Sequence, residues 1–235
     1  MLELRELVKR YQVGDAETVS AVDGVSLSIA AGELVALYGP SGSGKTTLLM
    51  MAAAVLRPDS GSVVVAGREV SALSARERAS YRMNELGFIR QSLDLIPGAS
   101  ALDNAAVKLL GKNTSAREAR RSVTPLLERL GLGERLGHRS EQLSMGERQR
   151  VMIARALSSD PALVLADEPT GSLDSERGSE VLALLRELCH DRAIAVLLVT
   201  HDPEAAAFAD RVQSLRDGRL ADGRPLASAV PSSVR

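Results

Sequence analysis

A chain of 235 residues with 45% apolar and 25% charged residues has the balance of a soluble globular protein, and the length for one large α/β domain with an insertion rather than two domains. Its formal net charge of −1 argues against a general electrostatic hold on nucleic acid, which needs clustered Lys and Arg to displace counterions; that leaves room only for a local patch, and no nucleic-acid partner is expected. The longest uncharged apolar run, Leu48 to Leu56, is far short of the roughly 18 residues that a membrane-spanning helix requires.

With no Trp, two Phe and three Tyr, the core must be aliphatic. Residues 2–8 read as a strand, and Val25 to Ile29 alternates as a second one before the Ala31-Gly32 turn. The amino terminus lacks the basic and apolar blocks of a signal peptide, which places the chain in the cytosol. Next, Leu34 to Tyr38 reads as a strand that runs into Gly39-Pro40-Ser41-Gly42-Ser43-Gly44-Lys45-Thr46-Thr47, with a helix from Lys45 through Leu56. Arg57 to Gly61 makes a turn, Val63 to Val65 a strand, Ser74 opens a charged helix reaching Asn84, and Leu86 to Ile89 returns to a strand that ends at Gln91. The early strands should form a small antiparallel layer.

From 92 to about 157 the pattern changes to helices. Ser100 with Asp103 marks one start, a second helix runs from Ser115 to Leu130 with a kink or restart expected at Pro125, and Ser144 caps a third through Leu157. Strand character resumes in Ala162 to Ala166, a continuous apolar run suited to burial on both faces, and a helix with Val181, Leu184, Leu185 and Leu188 at helical spacing follows. The only cysteine, Cys189, falls in this helix and reads as a small core residue. Ile194 to Val199 is the next strand, and Arg211 to Ala221 a hairpin about Asp217-Gly218. The alternation predicts a parallel sheet wrapped on both sides, with ligands at the carboxyl ends of its strands. The domain is expected to span 1–223, with a core of 1–91 and 158–223, a helical subdomain of about 92–157 and a loose tail at 224–235.

Residues 39–46 match G-x-x-x-x-G-K-[ST], the loop that wraps backbone N–H groups around a polyphosphate. The helix opening at Lys45 turns unpaired N–H groups and a positive dipole end toward that anion, Lys45 reaches the β- and γ-phosphates, and the Thr46 hydroxyl meets Mg²⁺. Asp167 and Glu168 follow directly on the buried strand, where two adjacent carboxylates are costly without a cation between them. Mg²⁺ supplies it, with Asp167 holding the metal and Glu168 orienting or deprotonating the attacking water.

Taken with Gln91 after its strand, Leu143-Ser144-Met145-Gly146-Glu147, Ala166-Asp167-Glu168-Pro169-Thr170, Ser172-Leu173-Asp174 and Thr200-His201-Asp202, the chain resembles the ATPase subunit of an ATP-binding cassette transporter over residues 2–223. The resemblance implies a P-loop NTPase with a RecA-like parallel sheet core, a small antiparallel β layer and an inserted helical subdomain. ATP and Mg²⁺ are the implied cofactors. Tyr11 is expected to stack on adenine, Gln91 to touch Mg²⁺ and the water while reporting nucleotide state to a membrane partner, and His201 to contact the γ-phosphate.

Ser144 and Gly146, at a helix start, should complete the γ-phosphate site of a second, head-to-tail ATPase subunit, with Asp174 at that interface. Within the family, residues 166–175 and the compact length resemble the lipoprotein-release and macrolide-export group, whose ATPases drive a separate integral membrane permease from the cytoplasmic face. The segment from 91 to 105, including Asp94 and Asp103, is expected to face that permease. Two residues depart from the pattern: Met145 stands where the signature usually has glycine, and Arg90 where the group commonly has an aromatic. The alternative is a relative acting in DNA maintenance or translation, against which stand the single cassette, the missing coiled-coil insertion and the near-zero charge. A GTPase would carry an Asn-Lys-x-Asp motif, which the sequence lacks.

Overall fold

The structure is a computed structural model that describes residues 1–13, 17–112, 114–171 and 173–221; Ser172 and the expected tail lie outside these. Strands β1 (Leu2–Val13) and β2 (Glu17–Ile29) are both longer than the alternation suggests. Their pairing shifts register between Leu4 and Leu7 and again between Lys9 and Arg10, with Glu6 in the left-handed region at φ 46°. Each irregularity resets which side chain points inward, so a strict period of two is lost although the ladder continues.

After β3 (Leu34–Tyr38) comes helix α1 (Lys45–Ala52). It stops short of Leu56 because Ala54 adopts φ 51°, a conformation that cannot continue a right-handed helix. Strands β4 (Ser60–Val65) and β5 (Arg68–Glu69) complete an antiparallel sheet of order β2-β1-β4-β5, the small β layer. Then follow α2 (Ala75–Asn84), β6 (Leu86–Ile89), α3 (Ala101–Leu110), α4 (Ala116–Arg129) and α5 (Met145–Leu157). Ser74, Ser100, Ser115 and Ser144 each accept an N–H from the third helical residue, satisfying a donor that would otherwise be orphaned. Helix α4 runs through Pro125 without interruption. Only one turn remains beyond the proline, and that turn buries Leu126 and Leu127, which offsets the lost bond.

The rest comprises β7 (Leu163–Asp167), α6 (Ser175–Asp191), β8 (Ala195–Thr200), the short α7 (Pro203–Ala206), β9 (Arg211–Arg216) and β10 (Arg219–Leu220). The central sheet has the order β10-β9-β3-β8-β7-β6, parallel throughout except for the terminal hairpin. Alternate residues of its inner strands feed two cores. Leu34, Val164, Ala166, Val196 and Leu198 pack toward the helical layer of α3 to α6, while Val35, Leu37, Leu163, Leu165 and Leu197 pack toward α1 and the antiparallel sheet. Burial on both faces is what a continuous apolar strand encodes.

Register fixes where the chemistry gathers. Tyr38 pairs with Thr200, Asp167 with Val199 and Ile89 with Ala166, so four strands end on one line. The residues just beyond those ends form the loop from Gly39, the Thr200-His201 turn, Glu168 and Gln91.

Candidate functional site

The loop after β3 owes its shape to its own neighbours. A Cβ on Gly39 would stand 2.2 Å from the Leu215 carbonyl oxygen, and one on Gly44 2.1 Å from that of Ala21, with Gly44 at φ 102°. Neither position can carry a side chain without displacing a strand, so both glycines seat the loop on β9 and β2. Lys45 Nζ donates back to the carbonyls of Gly39 at 2.7 Å and Pro40 at 2.8 Å. Burial pulls the Lys45 ammonium below its ordinary range, and the Glu168 and Asp167 carboxylates pull it back up.

The first N–H groups of α1 have no partner within the helix and open into a cavity of about 390 Å³. Ser41, Gly42, Gly44, Lys45, Thr46 and Thr47 line it on one side, and Gln91, Asp167, Glu168 and His201 on the other. Ten of the expected residues thus meet around one space. Gly39 and Pro40 lie behind Lys45, and Ser43 is buried under the loop. Ala21 and Val199 also line the cavity, and nothing in their residue types signals it.

Burial and the Glu168 charge push the Asp167 carboxyl up, against the pull of Lys45 and Arg90. Glu168 itself sits at φ 46°, in the left-handed region that costs a side-chain-bearing residue strain and tends to occur at functional positions. Its carboxylate folds back on the end of β8. Oε1 accepts from the His201 backbone N–H at 2.9 Å and lies 2.6 Å from His201 Nδ1, while Oε2 accepts from Thr200 Oγ1 at 3.0 Å.

The other expected residues lie outside this cavity. Tyr11 is exposed on β1 opposite Val19, whose strand passes Gly44 two residues on at Ala21. Ser144 caps α5 in a reciprocal box: its hydroxyl accepts from Glu147 N at 3.2 Å, and Glu147 Oε2 accepts from Ser144 N at 2.8 Å. Gly146 is buried beside Arg177, whereas Met145 is 46% exposed. Asp174 caps α6 by accepting from Arg177 N at 3.0 Å and pairs with the Arg177 guanidinium at 2.9 Å.

A larger groove of about 720 Å³ starts one residue from Gln91, at Arg90. Its walls are mostly apolar, among them Val55, Met83 and Phe88, and four cations rim it: Arg82, Arg90, Lys108 and Arg155. Arg90 pairs with Asp94 at 3.0 Å, but the other three form no ion pair among the described residues and lean on carbonyls of Ala54, Leu86 and Asp94. Burial pushes the Lys108 ammonium down to about 8. Asp94 lines the groove, but Asp103 does not: its carboxylate is taken by the Ser100 hydroxyl and by Arg120 at 2.7 Å, which ties α3 to α4.

Among the described residues no helix is long and apolar enough to cross a membrane. Residues 22–171 match the family described as ABC transporter. The chain is 46% identical, over 99% of its length, to the macrolide export ATP-binding/permease protein MacB of Rhodopirellula baltica, and spans 34% of that protein. It is 45% identical over 94% of its length to the lipoprotein-releasing system ATP-binding protein LolD 2 of Caulobacter vibrioides, of which it spans 96%. Among solved structures, it resembles the dimeric post-hydrolysis state of the ATP-binding cassette MJ0796 bound to ADP and Pi, with TM-score 0.85, 35% identity, and coverage of 97% of this chain and 100% of that one. These likenesses disfavour the DNA-maintenance alternative. The P-loop, the parallel sheet and the family match agree: this chain belongs to the ABC transporter family, as its ATP-binding and ATP-hydrolysing cassette.

Proposed function

We propose that this cassette works as a head-to-tail dimer that closes on two ATP and drives a separate membrane permease, of the lipoprotein-release or macrolide-export kind, from the inner face of the membrane. In this reading the α1 amides, Lys45 and the loop residues from Gly39 to Thr47 hold the phosphates, and Tyr11 stacks on adenine. Thr46, Gln91 and Asp167 are oxygen donors facing one cavity, a set that suits Mg²⁺, and the raised Asp167 carboxyl marks a place where added positive charge is welcome. The chemistry that Mg²⁺ supplies when bound is neutralisation of charge on the phosphate oxygens. Glu168 takes the proton of the attacking water, and His201 donates to the γ-phosphate. Residues 92–157 form the subdomain that carries Ser144 and Gly146 to the partner's γ-phosphate, with Asp174 between the two sites.

Met145 bears on that composite site. Its exposed side chain stands in the first turn of α5, where glycine would let a phosphate approach the backbone closely but would cost up to ~1 kcal/mol of helix stability. Met145→Gly in a Glu168→Gln background is therefore expected to tighten the ATP-bound dimer severalfold by sedimentation, with a melting temperature lowered by a few degrees. Unchanged dimerisation would mean that the Met145 side chain already points clear of the phosphate.

The observation that carries the permease reading is the back-to-back placement of two neighbours: Gln91 lines the nucleotide cavity while Arg90 lines the groove. A short amphipathic segment of the permease, with an apolar face and carboxylates to meet Arg82, Lys108 and Arg155, fits that groove by shape and charge. Val55 is 54% exposed there, so Val55→Asp adds a charge without disturbing the core. Co-expressed with its permease, the Val55→Asp protein should retain ATP affinity while co-purifying at least about tenfold less permease, since the new carboxylate replaces an apolar contact, competes for Arg82 and repels the carboxylates of the incoming segment. Equal recovery of the permease would move the docking surface elsewhere.

A further inference from the structure

We propose that Thr200 is a positioning residue for hydrolysis: its buried hydroxyl holds one oxygen of the Glu168 carboxylate in place while the other turns a free lone pair to the attacking water. The inference rests on the reading of Glu168 as the base.

The direction of the hydroxyl is settled by its two neighbours. Thr200 Oγ1 lies 3.0 Å from the Asp202 backbone nitrogen and 3.0 Å from Glu168 Oε2. An amide N–H can only donate and an ionised carboxylate can only accept, so the hydroxyl accepts from Asp202 and aims its own hydrogen at Glu168. A loop amide, a hydroxyl and a carboxylate thus form a short directed chain. A hydrogen bond to an ionised acceptor is among the stronger and more geometrically demanding kinds.

Thr200 is suited to staying still. It is 1% exposed, it ends β8 in register with Tyr38, and its carbonyl accepts from Gly39 N at 3.4 Å, where the phosphate loop begins. His201 is the opposite case. Its side chain is 61% exposed and meets the other oxygen, Oε1. If the imidazole turns toward the γ-phosphate, that contact opens while the Thr200 contact remains. Oε2 then stays on the Thr200 hydroxyl and Oε1 on the His201 backbone N–H, and the lone pair of Oε1 that faced the imidazole is the one presented to the water. Glu168 is itself held by a left-handed backbone and by its N–H on the Val199 carbonyl at 2.9 Å, so the base is fixed at both ends.

Thr200→Val tests this, because Val keeps the shape of Thr and removes only the hydroxyl. With ATP and Mg²⁺, the purified variant is expected to show kcat about 10- to 100-fold lower and KM for ATP within twofold of wild type, since a misplaced base costs rate rather than binding. Thr200→Ser, which restores a hydroxyl in the same place, should recover most of kcat. Added to Glu168→Gln, Thr200→Val should leave ATP-driven dimer formation unchanged. Wild-type kcat in Thr200→Val, or a Thr200→Ser protein as slow as Thr200→Val, overturns the inference. Should Thr200→Val fail to fold, Thr200→Ala against Thr200→Ser makes the same comparison, with the same outcomes deciding. A Glu168→Gln enzyme that hydrolyses normally would instead overturn the reading of the base, and the two failures are told apart by assaying both variants.

Discussion

Replacing Glu168 by Gln is expected to lower ATP turnover by about 10²- to 10⁴-fold, the span that general-base catalysis contributes, while leaving nucleotide binding intact. The substitution conserves shape, so the carbonyl oxygen of the amide can occupy the place of Oε1 between His201 N and Nδ1. What changes is the other end. The amide nitrogen would face the Thr200 hydroxyl, which already uses an acceptor site for the Asp202 N–H. Losing one such bond destabilises the fold by about 1 kcal/mol, too little to unfold the protein. An amide still hydrogen-bonds water yet takes no proton from it, so ATP binds and stays. Size-exclusion chromatography with ATP and Mg²⁺ should then show a dimer that persists, and that the wild type loses as it turns over. A Glu168→Gln protein that hydrolyses at the wild-type rate would transfer the role of base to another group.

Lys45→Ala should reduce hydrolysis by at least about 10²- to 10³-fold, comparable to removing a preorganised electrostatic donor from a reacting centre. Lys45 Nζ is anchored by the carbonyls of Gly39 and Pro40, so the charge is in position before any phosphate arrives and little reorganisation is needed when it does. Both the affinity for ATP and the rate should fall, in contrast to Glu168→Gln, where only the rate does. The loss should not come from unfolding. Burial already disfavours the Lys45 charge, and exchanging it for a methyl removes that desolvation cost, so the melting temperature should stay within a few degrees. Calorimetric ATP binding at wild-type affinity in Lys45→Ala would refute the assignment of the loop.

Much of this site was legible in the sequence because its chemistry is local. The run from Gly39 to Thr47 and the pair Asp167-Glu168 stand out by residue types a few positions apart, and the structure brings Ser41, Gly42, Gly44 to Thr47, Asp167 and Glu168 to one cavity. The parallel sheet was readable for the same reason, since a continuous apolar run such as Leu163 to Ala166 has few other uses. What escaped is what depends on long-range geometry. The reach of β1 and β2 was hidden by bulges that scramble alternation. The groove is assembled from residues spread between Met50 and Ala156, no segment of which announces it. Asp103 looked available to a partner because its pairing with Arg120 arises only when α3 and α4 pack together. The hydroxyl of Thr200 on Glu168 spans 32 positions of sequence, and only the adjacent ends of two strands reveal it.

Cys189 gives the molecule an unexpected convenience for the bench. Its thiol is buried in α6 against the Ile194 carbonyl, 3.1 Å from Sγ, and burial pushes it up to about 12. Since the thiolate is the reacting species, this sulfur is nearly inert to maleimides and disulfide reagents near neutral pH. A single cysteine introduced at an exposed position would be modified alone, without first stripping the native one. Spectroscopic rulers and crosslinkers can therefore be attached on either side of the proposed dimer in the natural background, and the proposed closing of two copies on ATP tested directly.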